Sequence, residues 1–589
     1  MPLYKPVDSL LNKCFLSLEL LTAQHTLEIS RRICSKADRL ERMSKQETLD
    51  SQTLIELTRN LTKEAANMFS ELIYSCIPGH LIQTTSLHLL RGLERAVNIK
   101  NVFLKKVDCD SNMSGIQHSR EMSIIINFSD IIITERLTSL DLSEIPKIIR
   151  AHLFDKLDSF TGLKILNLGS GSGGWSDLYI SKFISGIRQM KFLTSFSLCY
   201  DCNDDILKIL TRNCKTTLRV VDVEMCKRVT NQGAEYLSSC NKIEKLHLFH
   251  TGINSQGHMN LVLSLKNLKI LVRGDFLCET LELIDKDKRI KKVELRLEEF
   301  WSSEEYYFHD LYQMQLVQKY CPLLRKIMFQ FSKEVMQNVL FLADFKYLSD
   351  LHLWGGDFYE DGLNQLLEQI GPQLIILYLI HTENMDKSAI ILISRVCPNL
   401  QTLGLYNCEL QEDMHQDDHE GEDVDPFGPR NTGGFREFGY KEPQMEPLLE
   451  ISVLHIVSQC PESIFLLLLS STLNVEEVKT GIHCKISDAT INKLLQQNSL
   501  RHLQSLSIPG NETLTYRSIW SLLYTCTKLK YLRDLDYWTK LSIKEVTSIS
   551  EWIVENNFKL DIGQRGKEPE EQKYLDNLPS SIINYLMGK

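Results

Sequence analysis

The chain runs to 589 residues, 43% hydrophobic and 24% charged, with a formal net charge of −10. Those proportions are ordinary for a globular protein, and the acidic balance argues against a general nucleic-acid surface, which needs a basic footprint. The opening ten residues are polar and mixed, and the longest apolar run, Ile464 to Leu469, is far too short to cross a bilayer. No membrane role is expected, and the location expected is the cytoplasm, with the nucleus as the alternative.

Residues 1–98 read as a helical block. Leu10, Leu11, Cys14, Phe15, Leu18 and Leu21 mark one amphipathic face. Thr62 to Tyr74 gives a second, with Ala65, Ala66, Phe69, Leu72 and Ile73 apolar, and Pro78-Gly79 breaks it. Ser86 to Leu93 follows with Leu87, Leu89, Leu90 and Leu93. The string Ile99-x-x-Val102-x-Leu104 is read as a degenerate first repeat, in a transition over residues 99–136.

From Leu137 onward a string Leu-x-x-Leu-x-Leu recurs. It is cleanest at Leu400-x-x-Leu403-x-Leu405-x-x-Cys408-x-Leu410 and returns as Ile243-x-x-Leu246-x-Leu248 and Leu218-x-x-Val221-x-Val223. First framework positions fall at Leu137, Leu163, Leu193, Leu218, Ile243, Leu268, Ile290, Leu324, Leu348, Leu374, Leu400, Ser463, Leu503 and Leu529. Each string predicts a short strand whose alternate side chains face inward, and helical segments such as Gln232 to Ser239 and Gly362 to Ile370 lie between. A strand-helix unit at this period is the signature of a leucine-rich-repeat solenoid. The fold predicted is therefore an α/β horseshoe with an N-terminal all-helical block. Its repeats occupy residues 137–410 and 448–555, and a C-terminal cap occupies 556–589.

The long step after Leu400 places an insertion at residues 411–447. Glu412, Asp413, Asp417, Asp418, Glu420, Glu422, Asp423 and Asp425 crowd its first half. Such a segment cannot bury enough apolar surface to order itself, so a disordered loop is expected. His415 and His419 stand among those carboxylates, but a charge run is usually a solvated face. A second irregular stretch, Glu298 to Tyr312, carries Phe300, Trp301, Tyr306, Tyr307, Phe308 and Tyr312, and any aromatic left exposed there makes a contact patch.

Cys240, Cys321, Cys397 and Cys526 each precede a framework start by three residues, and Cys226 and Cys408 follow a strand. These are slots for a small apolar side chain, which a free thiol fills well. No disulfide framework and no metal centre is expected. Cys226, Val229, Thr230, Asn231, Gly233, Ala234, Leu237 and Cys240 fall where the cysteine-containing subclass of leucine-rich repeats has its marks, and Cys484-Lys-Ile486-Ser487-Asp488-Ala489 matches in part. The chain in this respect resembles the F-box/leucine-rich-repeat proteins and related ubiquitin-ligase receptors. Two N-terminal motifs extend the resemblance. Ser9-Leu10-x-x-x-Cys14-x-x-x-Leu18 is similar to the BC-box helix by which VHL-box and SOCS-box receptors bind the Elongin B/C adaptor. Ile77-Pro78-x-x-Leu81 is similar to the cullin-contacting element of such receptors or to the opening of an F-box. The resemblance implies adaptor binding through Leu10, Cys14, Leu18, Ile77, Pro78 and Leu81, with Elongin B/C or the SCF adaptor plus a cullin as partners. The alternative is a helical cap on the open end of the solenoid.

No catalytic constellation is found. Gly169-Ser170-Gly171-Ser172-Gly173-Gly174 lacks the Gly-Lys-Ser/Thr ending of a phosphate loop, and neither Gly-x-Ser-x-Gly nor His-Glu-x-x-His occurs. The reading is a binding protein without cofactor. Strand alternation puts the residues flanking the framework leucines on the concave side. That side would offer a protein target Met328, His352, Trp354, Ile376, Tyr378, Ile380 and Tyr406, with Trp354, Tyr378 and Tyr406 as one aromatic cluster. The earlier repeats offer Lys245, His247, Lys292, Glu294 and Arg296 instead.

Overall fold

The computed structural model describes residues 10–44, 51–106, 112–143, 145–169, 180–273, 276–290, 293–301, 310–330, 336, 338–412, 445–556 and 558–562. The acidic insertion, apart from its two ends, lies outside these residues, as do the glycine-serine run after Gly169, Tyr306 to Phe308, and the tail after Ile562. The chain divides into two compact units, one holding residues 7–295 and the other residues 296–565.

The first unit begins with four helices: α1 (Leu10–Ser44), α2 (Ser51–Cys76), α3 (Ile82–Lys106) and α4 (Asn112–Phe128). The buried side of α1 is not the leucine face expected. It runs through Phe15, Glu19, Thr22, Ala23, Thr26, Leu27 and Ser30. The hydroxyls of Thr22, Thr26 and Ser30 bond back to the carbonyls of Leu18, Thr22 and Leu27, so these residues enter the interior with their polarity already satisfied. Gly92 permits the close crossing of α1 and α3, since a Cβ there would lie 2.7 Å from the Glu19 carbonyl and from Thr22 Cβ. Glu19, 5% exposed, accepts from Arg95 at 3.0 Å and lies 2.6 Å from His88 Nδ1, while Phe15 stacks on the His88 ring at 4.6 Å. The string at Ile99 is part of α3, with Ile99 itself buried, so it is not a degenerate repeat. Its apolar spacing also fits a helix, and no strand neighbour is there to select the other form.

Six strands follow in this unit: β1 (Ser139–Asp141), β2 (Ile165–Asn167), β3 (Ser195–Ser197), β4 (Val220–Asp222), β5 (Lys245–His247) and β6 (Ile270–Val272). All pairs are parallel and the strand order is the chain order. The outer edge of β1 is closed by a side chain. The Gln83 amide on α3 donates to the Ser139 carbonyl, and its oxygen accepts from the Ser139 amide at 2.9 Å, as a neighbouring strand would.

The second unit holds ten parallel strands, again in chain order: β7 (Glu299–Trp301), β8 (Lys326–Gln330), β9 (Asp350–Trp354), β10 (Ile376–Ile380), β11 (Thr402–Tyr406), β12 (Val453–Val457), β13 (Glu477–Thr480), β14 (Ser505–Ser507), β15 (Tyr531–Arg533) and β16 (Asp561–Ile562). One short parallel strand per repeat, each pairing with the next, is the leucine-rich-repeat arrangement. Across both units a strand starts two residues after every predicted framework position except Ile290 and Ser463. Phe300 pairs with Ile327, which moves the first exception to Leu297. Ser463 lies inside a helix, Glu462–Ser471, whose Ile464, Phe465, Leu466, Leu468 and Leu469 are buried. The strands on either side instead belong to frames at Ile451 and Val475, set by the pairing of Leu454 with Leu403 and with Val478.

The cysteine slots are explained by geometry. Cys226 and Cys408 each donate their thiol to a leucine carbonyl one repeat earlier, Leu198 at 3.3 Å and Leu379 at 3.2 Å. Burial pushes the thiols of Cys226, Cys397 and Cys526 up to about 12. None of the described cysteines is in a disulfide. Among the described residues no helix is long and apolar enough to cross a membrane.

His258, in the helix Ser255–Ser264, gives this fold a pH dependence. Burial, and secondarily the charge of Arg273, holds its imidazole down to about 3 against an ordinary 6.5. Below 6.5 the unfolded chain takes up a proton that the folded chain refuses. The stability of the unit should therefore fall as pH drops from about 6.5 towards 3. Urea midpoints across that range should show a shallower fall for His258→Gln than for the unaltered protein.

Candidate functional site

The face of β9 to β13 that alternates with the framework leucines carries three rows of residues, half-buried on β9 to β12 apart from the buried Gly404 and exposed on β13. Strand register sets the rows as Asp350, Ile376, Thr402, Val453 and Glu477; His352, Tyr378, Gly404, His455 and Lys479; and Trp354, Ile380, Tyr406 and Val457. The framework residues between them, such as Leu351, Leu353, Leu377, Leu379, Leu403 and Leu405, are buried. The polypeptide thus presents a ring-bearing strip of mixed polarity whose backbone is fixed by two neighbouring strands at every step.

Four rings touch across this strip. His352 stacks on Tyr378 with centroids 4.4 Å apart and planes at 27°. Tyr378 lies 5.8 Å from Tyr406 and 6.3 Å from His455, and Tyr406 meets His455 edge-on at 6.0 Å. Gly404 makes the approach possible, since a Cβ there would run into the Tyr378 ring and lie 2.9 Å from Tyr406 Cε2. Burial raises the Tyr406 phenol to about 12, with Tyr378 and Glu477 adding to the shift, and the hydroxyl is hydrogen-bonded with His455 Nδ1 at 2.7 Å. His455 is held below its ordinary value by burial, with Glu477 opposing, and its Nε2 faces Glu477 at 3.4 Å. At the other end Asp350 bonds His352 at 2.8 Å and pairs with Lys326 at 3.6 Å.

The residues named from sequence divide accordingly. His352, Tyr378 and Tyr406 are brought together. Trp354 is in register with Ile380, which separates it from Tyr406, and among the described residues it makes none of the ring contacts. The expected trio of Trp354, Tyr378 and Tyr406 is in fact a quartet of two tyrosines and two histidines. Ile376 is on the same face in the first row, and Met328 pairs with His352 from β8. His455 and Glu477 were missed, whereas Gly404 flanks Leu403 and Leu405 and so falls in the slots that strand alternation assigns to this face. The frame at Ser463 hid the first two, although Ile451-x-x-Leu454-x-Ile456 carries the repeat signal. In the earlier repeats Lys245 and His247 are half-buried on β5, Glu294 and Arg296 are exposed outside a strand, and Lys292 lies outside the described residues.

At the N-terminal block, Leu10 is the first residue of α1, Cys14 is exposed and Leu18 half-buried. Leu21 is 48% exposed, and on α2 both Met68 and Leu72 are 67% exposed. The two helices meet where His25 lies against Phe69. Pro78 is exposed, with Ile77 and Leu81 half-buried around the turn into α3. Cys14 to Leu21 of α1 and the turn at Pro78 are two stretches with accessible side chains on one helical block.

Gly404→Ala should push the Tyr378 ring off its seat. The expected loss is about 1–3 kcal/mol, the usual range for overpacking, together with a change in near-ultraviolet circular dichroism. Tyr406→Phe keeps the packing and removes one hydrogen bond, for an expected loss of about 1 kcal/mol. Denaturant titration of the two variants checks both.

No protein-family model matches the chain, and no curated protein matches it. Solved structures do. A leucine-rich-repeat protein of Leptospira interrogans aligns at 15% identity with a TM-score of 0.33, covering 72% of this chain and 94% of that one. The crystal structure of the Rad7 and Elc1 complex from yeast aligns at 12% identity with a TM-score of 0.33, covering 80% of this chain and 93% of the other. The leucine-rich-repeat fold of this chain rests on its own strand order and register.

Proposed function

We propose that this chain is a protein-binding scaffold, most concretely the substrate-recognition subunit of a cullin-RING ubiquitin ligase. The observation that carries the reading is the apolar side of α1 and α2 left uncovered while the opposite side of α1 is locked. Glu19, His88 and Arg95 fix α1 on α3, and Cys14, Leu18 and Leu21 are turned to a different sector of the helix. A leucine or cysteine at i and i+4 presents as one strip to a groove in a partner. The adaptor proposed is Elongin B/C, with Ile77, Pro78 and Leu81 on the cullin side; an SCF-type adaptor is the variant of the same reading. The target would lie on the ring-bearing strip of β8 to β12, at Met328, His352, Trp354, Ile376, Tyr378, Ile380 and Tyr406. Ubiquitin transfer would be done by partner subunits.

A second reading is favoured by Gln83. Its pairing with Ser139 closes the edge strand of the first sheet, which is the work of a solenoid cap. On that reading the scaffold is unrelated to ubiquitin.

Purified full-length chain and purified Elongin B/C separate the two. Leu10 begins the helix, where proline is tolerated, so the informative change is Cys14→Phe, at an exposed site. Binding is expected for the unaltered chain and lost for Cys14→Phe, with the thermal midpoint of the chain unchanged. Absence of binding to Elongin B/C and to the SCF adaptor alike leaves the cap reading. For the target surface, Trp354→Ala with Tyr378→Ala should weaken a captured partner by about 2 kcal/mol or more, roughly thirtyfold. Equal affinity in a folded double variant removes that surface from the reading.

A further inference from the structure

The first sheet carries a group of side chains that neither the fold nor the proposed function uses. Ser197, Asp222 and His247 are register partners on β3, β4 and β5. Cys199 and Glu224 follow two residues beyond the first two. Ligand atoms of Asp222, Glu224 and His247 all lie within 4.8 Å of one another. His247 Nδ1 is 3.1 Å from Glu224 Oε1, and Cys199 Sγ is 3.5 Å from Asp222 Oδ1. We infer that Cys199, Asp222, Glu224 and His247 form a binding site for a thiophilic divalent metal ion of the zinc class.

The distances fit that ion. With bonds of about 2.3 Å to sulfur and about 2.0 Å to nitrogen or oxygen, a tetrahedral centre needs sulfur–oxygen edges of about 3.5 Å and nitrogen–oxygen edges of about 3.3 Å. Two pairs already stand near those separations; Asp222, Glu224 and His247 converge, while Cys199 touches the trio only through Asp222 and moves in to complete the set. The charge fits as well. Among the described residues no lysine or arginine pairs with Asp222 or Glu224, whereas Asp350 has Lys326 and Glu244 has Arg219. Two half-buried carboxylates with no lysine or arginine, and with only His247 beside Glu224, are compensated by a dication. The donor set decides its class: two carboxylates alone suit a hard cation, while an added imidazole and thiolate favour zinc or cobalt over magnesium and calcium. On binding, the Cys199 thiol gives its proton to the buffer and the sulfur donates as thiolate. The ion would pin three successive repeats together on their strand side. Sequence could have signalled it through the framework, since residues 197, 222 and 247 share one slot 25 residues apart. Cys202, three residues after Cys199, is fully buried, and its thiol donates to the Asn203 carbonyl at 3.8 Å.

The test is titration of chelator-stripped full-length chain with Co²⁺, followed by Zn²⁺. One equivalent of Co²⁺ should develop the visible absorption of a four-coordinate centre with a thiolate charge-transfer band, and Zn²⁺ should bleach it. Cys199→Ser should remove the charge-transfer band, and Asp222→Asn and His247→Gln should each weaken binding at least tenfold. Circular dichroism confirms that each variant is folded; should His247→Gln unfold, Asp222→Asn decides. The inference is overturned if the band survives Cys199→Ser, if folded Asp222→Asn binds as the unaltered chain does, or if no such centre forms. Equal binding of Mg²⁺ or Ca²⁺ overturns it too, because carboxylates alone would then hold the ion.

Discussion

Apolar framework residues, mostly leucine, stack from strand to strand in both sheets, and the other features depend on that contact. A strand of two to five residues with one apolar side has nothing to bury against within its own repeat. Pairing Leu377 with Leu351 and Leu403, each fully buried, supplies the missing neighbour, and the same relation is renewed at each step. Because the side-chain period of a strand is two, fixing the leucines inward also fixes every flanking residue outward. The ring-bearing strip and the Cys199–His247 group are both consequences of that register. Their side chains converge because parallel strands hold equivalent slots of successive repeats a fixed spacing apart, about 4.8 Å.

A stack of this kind must end, and the first sheet ends on a side chain. Gln83 supplies one donor and one acceptor to β1, and the helix that carries it is held by α1 through a buried carboxylate with an arginine and a histidine. A buried carboxylate kept in place by several partners is costly to break, so α1 has one side committed to the block. What is left for a partner is its other side, together with the uncovered stripe of α2. The capping role and the docking role are thus carried by different sectors of the same helices and do not compete.

The fold was legible because a repeated signal corrects itself: most framework positions sit two residues before a strand. It failed at Ile290 and Ser463, where one apolar string fits two registers or two periods and only the neighbouring strand decides. The run Ile464 to Leu469 is apolar throughout, so it carries no period. Pro461 and Glu462 ahead of it were the helix-start signals. The slip had a functional consequence, since it removed His455 and Glu477 from view. The leucine face assigned to α1 failed for a different reason. Threonine and serine that satisfy their own hydroxyls can be buried as readily as leucine, and a hydrophobicity pattern counts them as polar. Of the site, the tyrosines could be read from strand alternation, whereas the replacement of Trp354 by histidines as ring partners depended on the register itself and on the space above Gly404.

The central claim is that the uncovered sector of α1 and α2 is where an adaptor docks. Hydrogen–deuterium exchange on the full-length chain, with and without a saturating excess of purified Elongin B/C, tests it most directly. The account predicts slower exchange confined to residues 14–25 and 65–81, with β9 to β12 unchanged until a target is added. Unchanged exchange across α1 and α2, or protection only along the sheets, would contradict it.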